Sequence, residues 1–152
     1  MDIIKAGLKD LETVKQITED TIREIYPKYY PEGAVDFFLL HHNTENIRKD
    51  INSDCVFLIY SNGSAAGTVT VKDNHILRLF VFPQFQKQGL GRRLLDFAEA
   101  EIAKYYDETD IDASLPAKSI YLKRGYTETA YRIIETENGD YLCYDEMKKK
   151  LR

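Results

Sequence analysis

The sequence predicts an α/β fold: a mixed, mostly antiparallel sheet flanked by helices. Three observations carry that expectation. Residues 11–25 repeat apolar side chains at helical spacing. Residues 55–82 hold three β-type runs separated by Asn62-Gly63 and Asp73-Asn74. After a helix, a strand and a short helix, the chain closes on two further β-type runs around Asn138-Gly139. Helices and strands do not alternate throughout, so the pattern is not βαβ from end to end.

Ile3-Ile4 open the chain as a short strand. Asp10 is the expected N-cap of a helix reaching about Tyr26, because Leu11, Val14, Ile17, Thr21, Ile22 and Ile25 form one apolar face. Pro27 ends it, lacking the N–H a helix needs. A second helix is expected from near Val35 to His41 and a third from Thr44 to about Ile51. Cys55 to Tyr60 then reads as a strand, and Asn62-Gly63 tolerates the positive φ of a tight hairpin. Ala66 to Val71 returns, Asp73-Asn74 turns again, and His75 to Phe82 completes a meander. A glycine loop leads into a helix ending near Ile102. Asp110 to Leu115 is a strand, and Ala117 to Arg124 a short helix closed by Gly125. Thr129 to Thr136 and Tyr141 to Met147 form the closing hairpin.

A length of 152 residues suits one domain with one core, spanning 1–152. The formal net charge of −4 argues against bulk binding to nucleic acid. Lys148-Lys149-Lys150 reads as a solvated basic end. Cys55 and Cys143 form no CxxC or metal-ligand spacing and read as buried thiols. His41-His42 is adjacent rather than spaced by a helical turn, so no metal site is expected. No signal-like or membrane-spanning apolar run is present, which makes the cytoplasm the default and a membrane role unexpected.

The stretch QFQKQGLGRRLLDFAEAEI, residues 84–102, has its charges in an unusual order. Lys87, Arg92 and Arg93 lie at the helix entry, while Asp96, Glu99 and Glu101 come later. A helix start carries partial positive charge and disfavours cations by roughly 0.3–1 kcal/mol each. A bound phosphate reverses that sign. Unpaired N–H groups at the helix start could hold it, and Gly89 and Gly91 would let a bulky anion approach the backbone. A dinucleotide fold would want glycine where Leu94 stands, and a P-loop would want GK[ST]; neither is present.

Gln86-Lys87-Gln88-Gly89-Leu90-Gly91 resembles the Q/R-x-x-G-x-G/A motif of the GNAT acyltransferase superfamily. Leu79-Phe80-Val81-Phe82-Pro83 is similar to that family's fourth strand, and Leu94 to Ile102 to the helix after it. The run from Leu115 to Tyr126, LPAKSIYLKRGY, is similar to the family's N-P-x-x-x-x-Y-x-x-x-G-F/Y segment. Two motifs in order, between a meander and a hairpin, extend the resemblance over nearly the whole chain.

The resemblance implies a sheet whose fourth and fifth strands splay apart, and acetyl transfer from acetyl-CoA (coenzyme A as co-substrate, no metal) to an amine. It places the pyrophosphate on the amides of Lys87, Gln88, Gly89, Leu90, Gly91 and Arg92, with Gln86 opening the motif. It pairs the pantetheine arm with the backbone of Leu79, Phe80 and Val81, and gives the Leu79 N–H an oxyanion-hole role. Tyr121 matches the tyrosine that protonates the leaving sulfur. The family's asparagine is Leu115 here, so its contact is missing or comes from Ser114 or backbone.

The base stays open. A lysine-like amine is neutral only about once in 2,500 molecules at pH 7. The strand glutamate of many relatives is replaced by Leu77. His75, on the same side of a regular strand, resembles one of the two strand histidines of the serotonin N-acetyltransferase branch. It is the candidate base, and a surface histidine is the alternative. Tyr26, Tyr29, Tyr30, Phe37, Phe38, His41, His42 and Tyr131 are candidates for the acceptor region or for core packing. The leading expectation is a small-molecule amine acceptor. A protein or peptide amine and a non-catalytic acyl-CoA-binding regulatory module are the alternatives. A homodimer is compatible with the sequence, which does not choose the oligomeric state.

Overall fold

The computed structural model describes residues 2–152. Among them, seven strands form one sheet: β1 Ile3–Lys5, β2 Val56–Ser61, β3 Ser64–Lys72, β4 His75–Val81, β5 Glu108–Ala113, β6 Thr127–Glu135 and β7 Tyr141–Lys150. The order is β1-β2-β3-β4-β5-β7-β6, antiparallel except for the parallel β4–β5 pair. The helices are α1 Leu11–Ile25, α2 Glu32–His41, α3 Thr44–Asn52, α4 Leu90–Ala103 and α5 Lys118–Lys123. The expected mixed α/β fold with splayed fourth and fifth strands is what the chain adopts.

Two cores cover the two faces of the sheet. Val14, Ile17 and Ile22 of α1, Val35 of α2 and Ile47 of α3 pack with Leu58 and Phe80. Leu90, Leu94, Leu95 and Ile102 of α4 pack with Ile59, Val69, Ile76, Ile111 and Met147. Adjacent Leu58 and Ile59 serve opposite faces, as strand alternation requires. Fully buried side chains of this size contribute about 1.5–3 kcal/mol each. No helix among the described residues is long and apolar enough to cross a membrane.

Four local expectations need correction. The Asp10 side chain does not cap α1; its carboxylate accepts the Gly7 N–H at 2.9 Å and closes the turn before the helix. Helix α2 starts at Glu32, earlier than its apolar pattern suggests. There Pro31 supplies extended backbone and the Gly33 N–H donates to Asp140 Oδ2 at 2.8 Å, a contact made across the fold. Lys148–Lys150 is not a loose end, although Lys148 and Lys150 keep exposed side chains. It belongs to β7, in register with Asp110, Thr109 and Glu108, and Lys149 Nζ reaches Glu99 at 2.7 Å. The two thiols are half-buried rather than buried, and Cys55 lies just before β2.

The feature that makes room for a site is the fork between β4 and β5. They pair only at His75↔Asp110 and Ile76↔Ile111. β4 also carries a bulge: Phe80 pairs with Thr68 while Leu77 pairs with Thr70. Arg78 is the extra residue, at φ 49°. Thr68 and Thr70 share a face, so Leu77 and Phe80 share it too. Leu79 and Val81 turn to the α4 side, where they pack on that core. A regular strand would have kept Leu77 and Leu79 together.

Candidate functional site

A cavity of about 930 Å³ occupies the fork, bounded by His75–Val81 of β4 on one side and by Ile111, Asp112 and Ser114 on the other. One end reaches the loop before α4; another is walled by aromatic side chains of α1 and α2.

At the loop end, Gly89 caps α4 at φ 80°, a conformation that favours glycine. Among the described residues, no hydrogen bond engages the N–H groups of residues 87–92; the first N–H of α4 to be used is that of Arg93, bonded to the Gly89 carbonyl at 3.1 Å. These are the orphan donors of a helix start, extended backwards by the loop. A Cβ at Gly91 would meet only Val81 Cγ2, at 4.0 Å, so internal packing does not require glycine there. The surface is open for an anion to approach. Lys87 and Arg92 line this end, and the first turn of α4 has no acid to offset them. Arg93 does not line the cavity. Arg124 does, but its guanidinium is held by Asp96 and by Glu99, the latter at 2.6 Å. The donor set fits a diphosphate, and Lys87 and Arg92 of the loop and helix start are cations free to meet one, with Lys123 at the end of α5 also in the lining.

Along β4, the Val81 carbonyl already accepts from Thr21 Oγ1 at 3.2 Å and from the Gln86 amide at 3.0 Å. Both lone pairs are engaged, so only the Val81 N–H is left for a ligand. Gln86 thereby ties the loop to the strand end. The Phe80 ring faces away from α4, packing on Tyr26 and His42. Across the fork, Ser114 Oγ accepts from the Tyr26 hydroxyl at 3.3 Å and can still donate. The Leu115 N–H donates to the Tyr30 hydroxyl at 2.8 Å, and that hydroxyl donates to the Cys143 carbonyl at 3.2 Å. The Leu115 N–H is therefore occupied, while the Ser114 hydroxyl keeps a donor for the cavity. Burial pushes the Tyr26 and Tyr30 phenols up to about 12.

Tyr121 lies in the wall with 5% of its surface exposed. No hydrogen bond to its hydroxyl occurs among the described residues, and burial, then Tyr26, pushes its pKa far above the ordinary phenol value. It is a protonated donor at any physiological pH. His75 also lines the cavity. Its Nδ1 contacts Asp110 on the paired strand, and its Nε2 is 3.8 Å from Asp112 Oδ2.

The aromatic candidates divide. Tyr26, Tyr29, Phe37, Phe38, His41 and His42 line the cavity. Tyr30 packs behind it, and Tyr131 is 59% exposed on edge strand β6. Sequence reasoning missed Arg78, Asp112 and Tyr144, which also line the wall. A lone arginine within ILRLFVF was a visible signal, as was the Asp110/Asp112 alternation in β5. The Arg78 guanidinium donates to Asp50 at 2.9 Å, to Thr70 at 3.1 Å and to His42 Nδ1 at 3.3 Å. Burial and then Arg78 push the pKa of His42 well below its ordinary value and that of His41 down as well, so His42 stays neutral.

A family model described as an acetyltransferase (GNAT) domain matches residues 25–151. A GCN5-related N-acetyltransferase from Rhodopseudomonas palustris, also described as Aminotransferase, Class-II, is similar with a TM-score of 0.89 at 20% identity, covering 98% of this chain and 94% of that one. PaiA N-acetyltransferase from Thermoplasma acidophilum, solved with coenzyme A, has a TM-score of 0.73 at 21% identity, covering 98% of both chains. YncA from Salmonella typhimurium, solved with acetyl-CoA, has a TM-score of 0.74 at 20% identity, covering 100% of this chain and 94% of that one. At these identities the likeness to the three structures is one of fold.

Proposed function

The chain belongs to the GNAT acetyltransferase family, and from that premise we infer that residues 1–152 act as one domain moving an acetyl group from acetyl-CoA to a primary amine of a small molecule. The observation that carries this reading is the continuity of one cavity. It joins the unpaired amides of residues 87–92 to Tyr121, His75 and an aromatic end.

Acetyl-CoA is the co-substrate and brings the thioester. The amides of Lys87, Gln88, Gly89, Leu90, Gly91 and Arg92 hold its pyrophosphate, with the Lys87 and Arg92 side chains adding charge. The backbone of Leu79, the Val81 N–H and the Ser114 hydroxyl hold its amide-bearing arm at the unpaired edge of β4, while Phe80, whose backbone pairs with Thr68 of β3, offers the wall only its ring. The Leu79 N–H faces the developing negative charge on the thioester oxygen. His75, kept in place by Asp110, takes a proton from the acceptor ammonium, directly or through water. The neutral nitrogen then forms a bond to the thioester carbon. The carbon–sulfur bond breaks, and Tyr121 gives its proton to the sulfur. The nitrogen, cationic once bonded, gives up its second proton as the amide forms. That proton restores Tyr121 and the one taken by His75 leaves to solvent, so an ammonium and acetyl-CoA become an amide, free coenzyme A and one proton.

Tyr26, Phe37 and Phe38 wall the acceptor end, which favours a small amine over a peptide chain. The test is coenzyme A release from acetyl-CoA across an amine panel. Release that rises and saturates with one small amine is expected. Tight acetyl-CoA binding with no release stimulated by any amine or peptide would favour a non-catalytic binding module instead.

A further inference from the structure

The charged groups of the cavity are unevenly placed. Lys87, Arg92, Lys123 and Arg124 come from the loop, α4 and the end of α5. Asp112 is the one carboxylate among the lining residues, and it comes from the β5 side of the fork, next to His75. No lysine or arginine lies within ion-pair distance of Asp112 among the described residues. Its cross-strand neighbour Glu146 is taken by Arg132, which leaves no spare cation there. The Asp112 side chain is 53% exposed, facing open space beside the aromatic wall.

The same end offers no free lysine or arginine to a carboxylate ligand among the lining residues. Among the lining residues of this end Arg78 is the one guanidinium, with 2% of its side chain exposed and its donors used by Asp50, Thr70 and His42, and Arg132, outside the lining, is held by Glu146. His41 and His42 are both held toward the neutral form by burial and by Arg78. An α-carboxylate here would meet Asp112 and no counter-charge, and like charges at short range are unfavourable.

We propose that the acceptor is a protonated amine with an apolar body and no carboxylate, and that Asp112 holds its ammonium beside His75. The identification rests on the acetyl-transfer reading of this cavity. Asp112 attracts the cation, Tyr26, Phe38 and Phe80 receive the apolar body, and His75 is within reach of the proton to be removed. The α-amino group of a free amino acid is excluded by charge rather than by size.

The test uses matched pairs that differ only in the carboxylate: phenethylamine against phenylalanine, and isopentylamine against leucine. Each is titrated calorimetrically into the full chain saturated with coenzyme A. The amine of at least one pair binds about tenfold or more tightly than its amino acid. Asp112→Asn weakens that amine by about tenfold, and Asp112→Glu recovers part of the loss. Equal binding within both pairs, no amine binding in either, or an Asp112→Asn variant that binds unchanged would overturn the proposal. Acetyl transfer is read separately by coenzyme A release. Efficient acetylation of phenylalanine or leucine would sink the acceptor assignment and leave acetyl transfer standing. Saturable, Asp112-dependent amine binding without any transfer would do the reverse.

Discussion

The Arg78 guanidinium meets the Asp50 carboxylate at 2.9 Å, with only 2% and 7% of the two side chains exposed. This buried pair anchors the residue that makes the β4 bulge. Arg78 sits at φ 49°, a conformation costing about 1 kcal/mol or more for a non-glycine residue. The ion pair, with Thr70 and His42, offsets that strain and sets which way Leu79 points.

Asp50→Asn leaves a buried guanidinium short of its counter-charge. It should lower stability by about 3 kcal/mol, read as a lower urea midpoint at unchanged m-value. The double variant Asp50→Leu/Arg78→Met should recover much of that stability, because apolar packing can replace a buried ion pair. It should not recover acetyl transfer, because the bulge loses its anchor. Full activity in the double variant would mean that β4 holds its bulge without Arg78.

Gly91→Ala should move stability and binding in opposite directions. Alanine is the better helix former, and the new methyl meets only Val81, at 4.0 Å, so unfolding should become about 0.5 kcal/mol harder. In the proposed cofactor site the same methyl would stand where the pyrophosphate approaches. Acetyl-CoA affinity should fall by about tenfold in a calorimetric titration, roughly one lost charged hydrogen bond. Unchanged affinity would move the phosphate away from this turn.

Tyr121→Phe removes the buried phenol of the wall that has no protein partner. kcat should fall by about 10²-fold or more, the range for losing a general acid. Acetyl-CoA binding should change little, because the proposed role of the hydroxyl is sulfur protonation, away from the anion site. Unchanged turnover with a well-matched amine would remove Tyr121 from the mechanism.

His75→Ala should lower kcat/KM and reshape the acidic limb of the pH–rate profile, while His75→Gln preserves folding. Asp110→Asn should produce a smaller loss of the same kind, since Asp110 acts by holding His75. A His75→Ala profile matching the parent in shape and height would leave the ring as a strand-start side chain with no part in proton removal.

Glu99 provides a stability test away from the cavity. Burial pushes its pKa up, but hydrogen bonds from Arg124, Lys149 and Tyr126 outweigh that and hold it below the ordinary carboxylate value. A lowered folded-state pKa means that the unfolded chain binds the proton first. The stabilisation is therefore complete above about pH 4.3, the ordinary glutamate value, and is lost as pH falls through the lower folded value. Glu99→Gln should be less stable at pH 7 by about 1.5–3 kcal/mol. Its difference from the parent should shrink below about pH 4. A gap constant from pH 7 to pH 3 would show that the ion cluster contributes nothing to stability.

Much of the candidate site was legible because its signals are local. Gly89 is required by the φ of one residue, and the reversed charges at Lys87 and Arg92 are visible without knowing the fold. Tyr121 was found through a motif, not through chemistry readable from its neighbours. Asp112 was missed because the Asp110/Asp112 alternation marks a polar strand face but does not say what that face meets until the opposite wall is known to lack carboxylates. Arg78 looked like one charge in an apolar strand; its partners Asp50 and His42 lie 28 and 36 positions away.

By itself, the sequence determined where most helices and strands run, where the turns fall, and that the start of α4 carries glycines and cations of a kind that suits an anion. Those properties depend on backbone preferences and on side-chain periods spanning a few residues. Only the tertiary structure decided that β4 bulges at Arg78, that Lys148–Lys150 pairs in the sheet, and that Asp112 faces a cavity whose remaining charges are positive or already paired. Register, burial and ion pairing are set by groups far apart in the chain, and no short window of residues contains both partners.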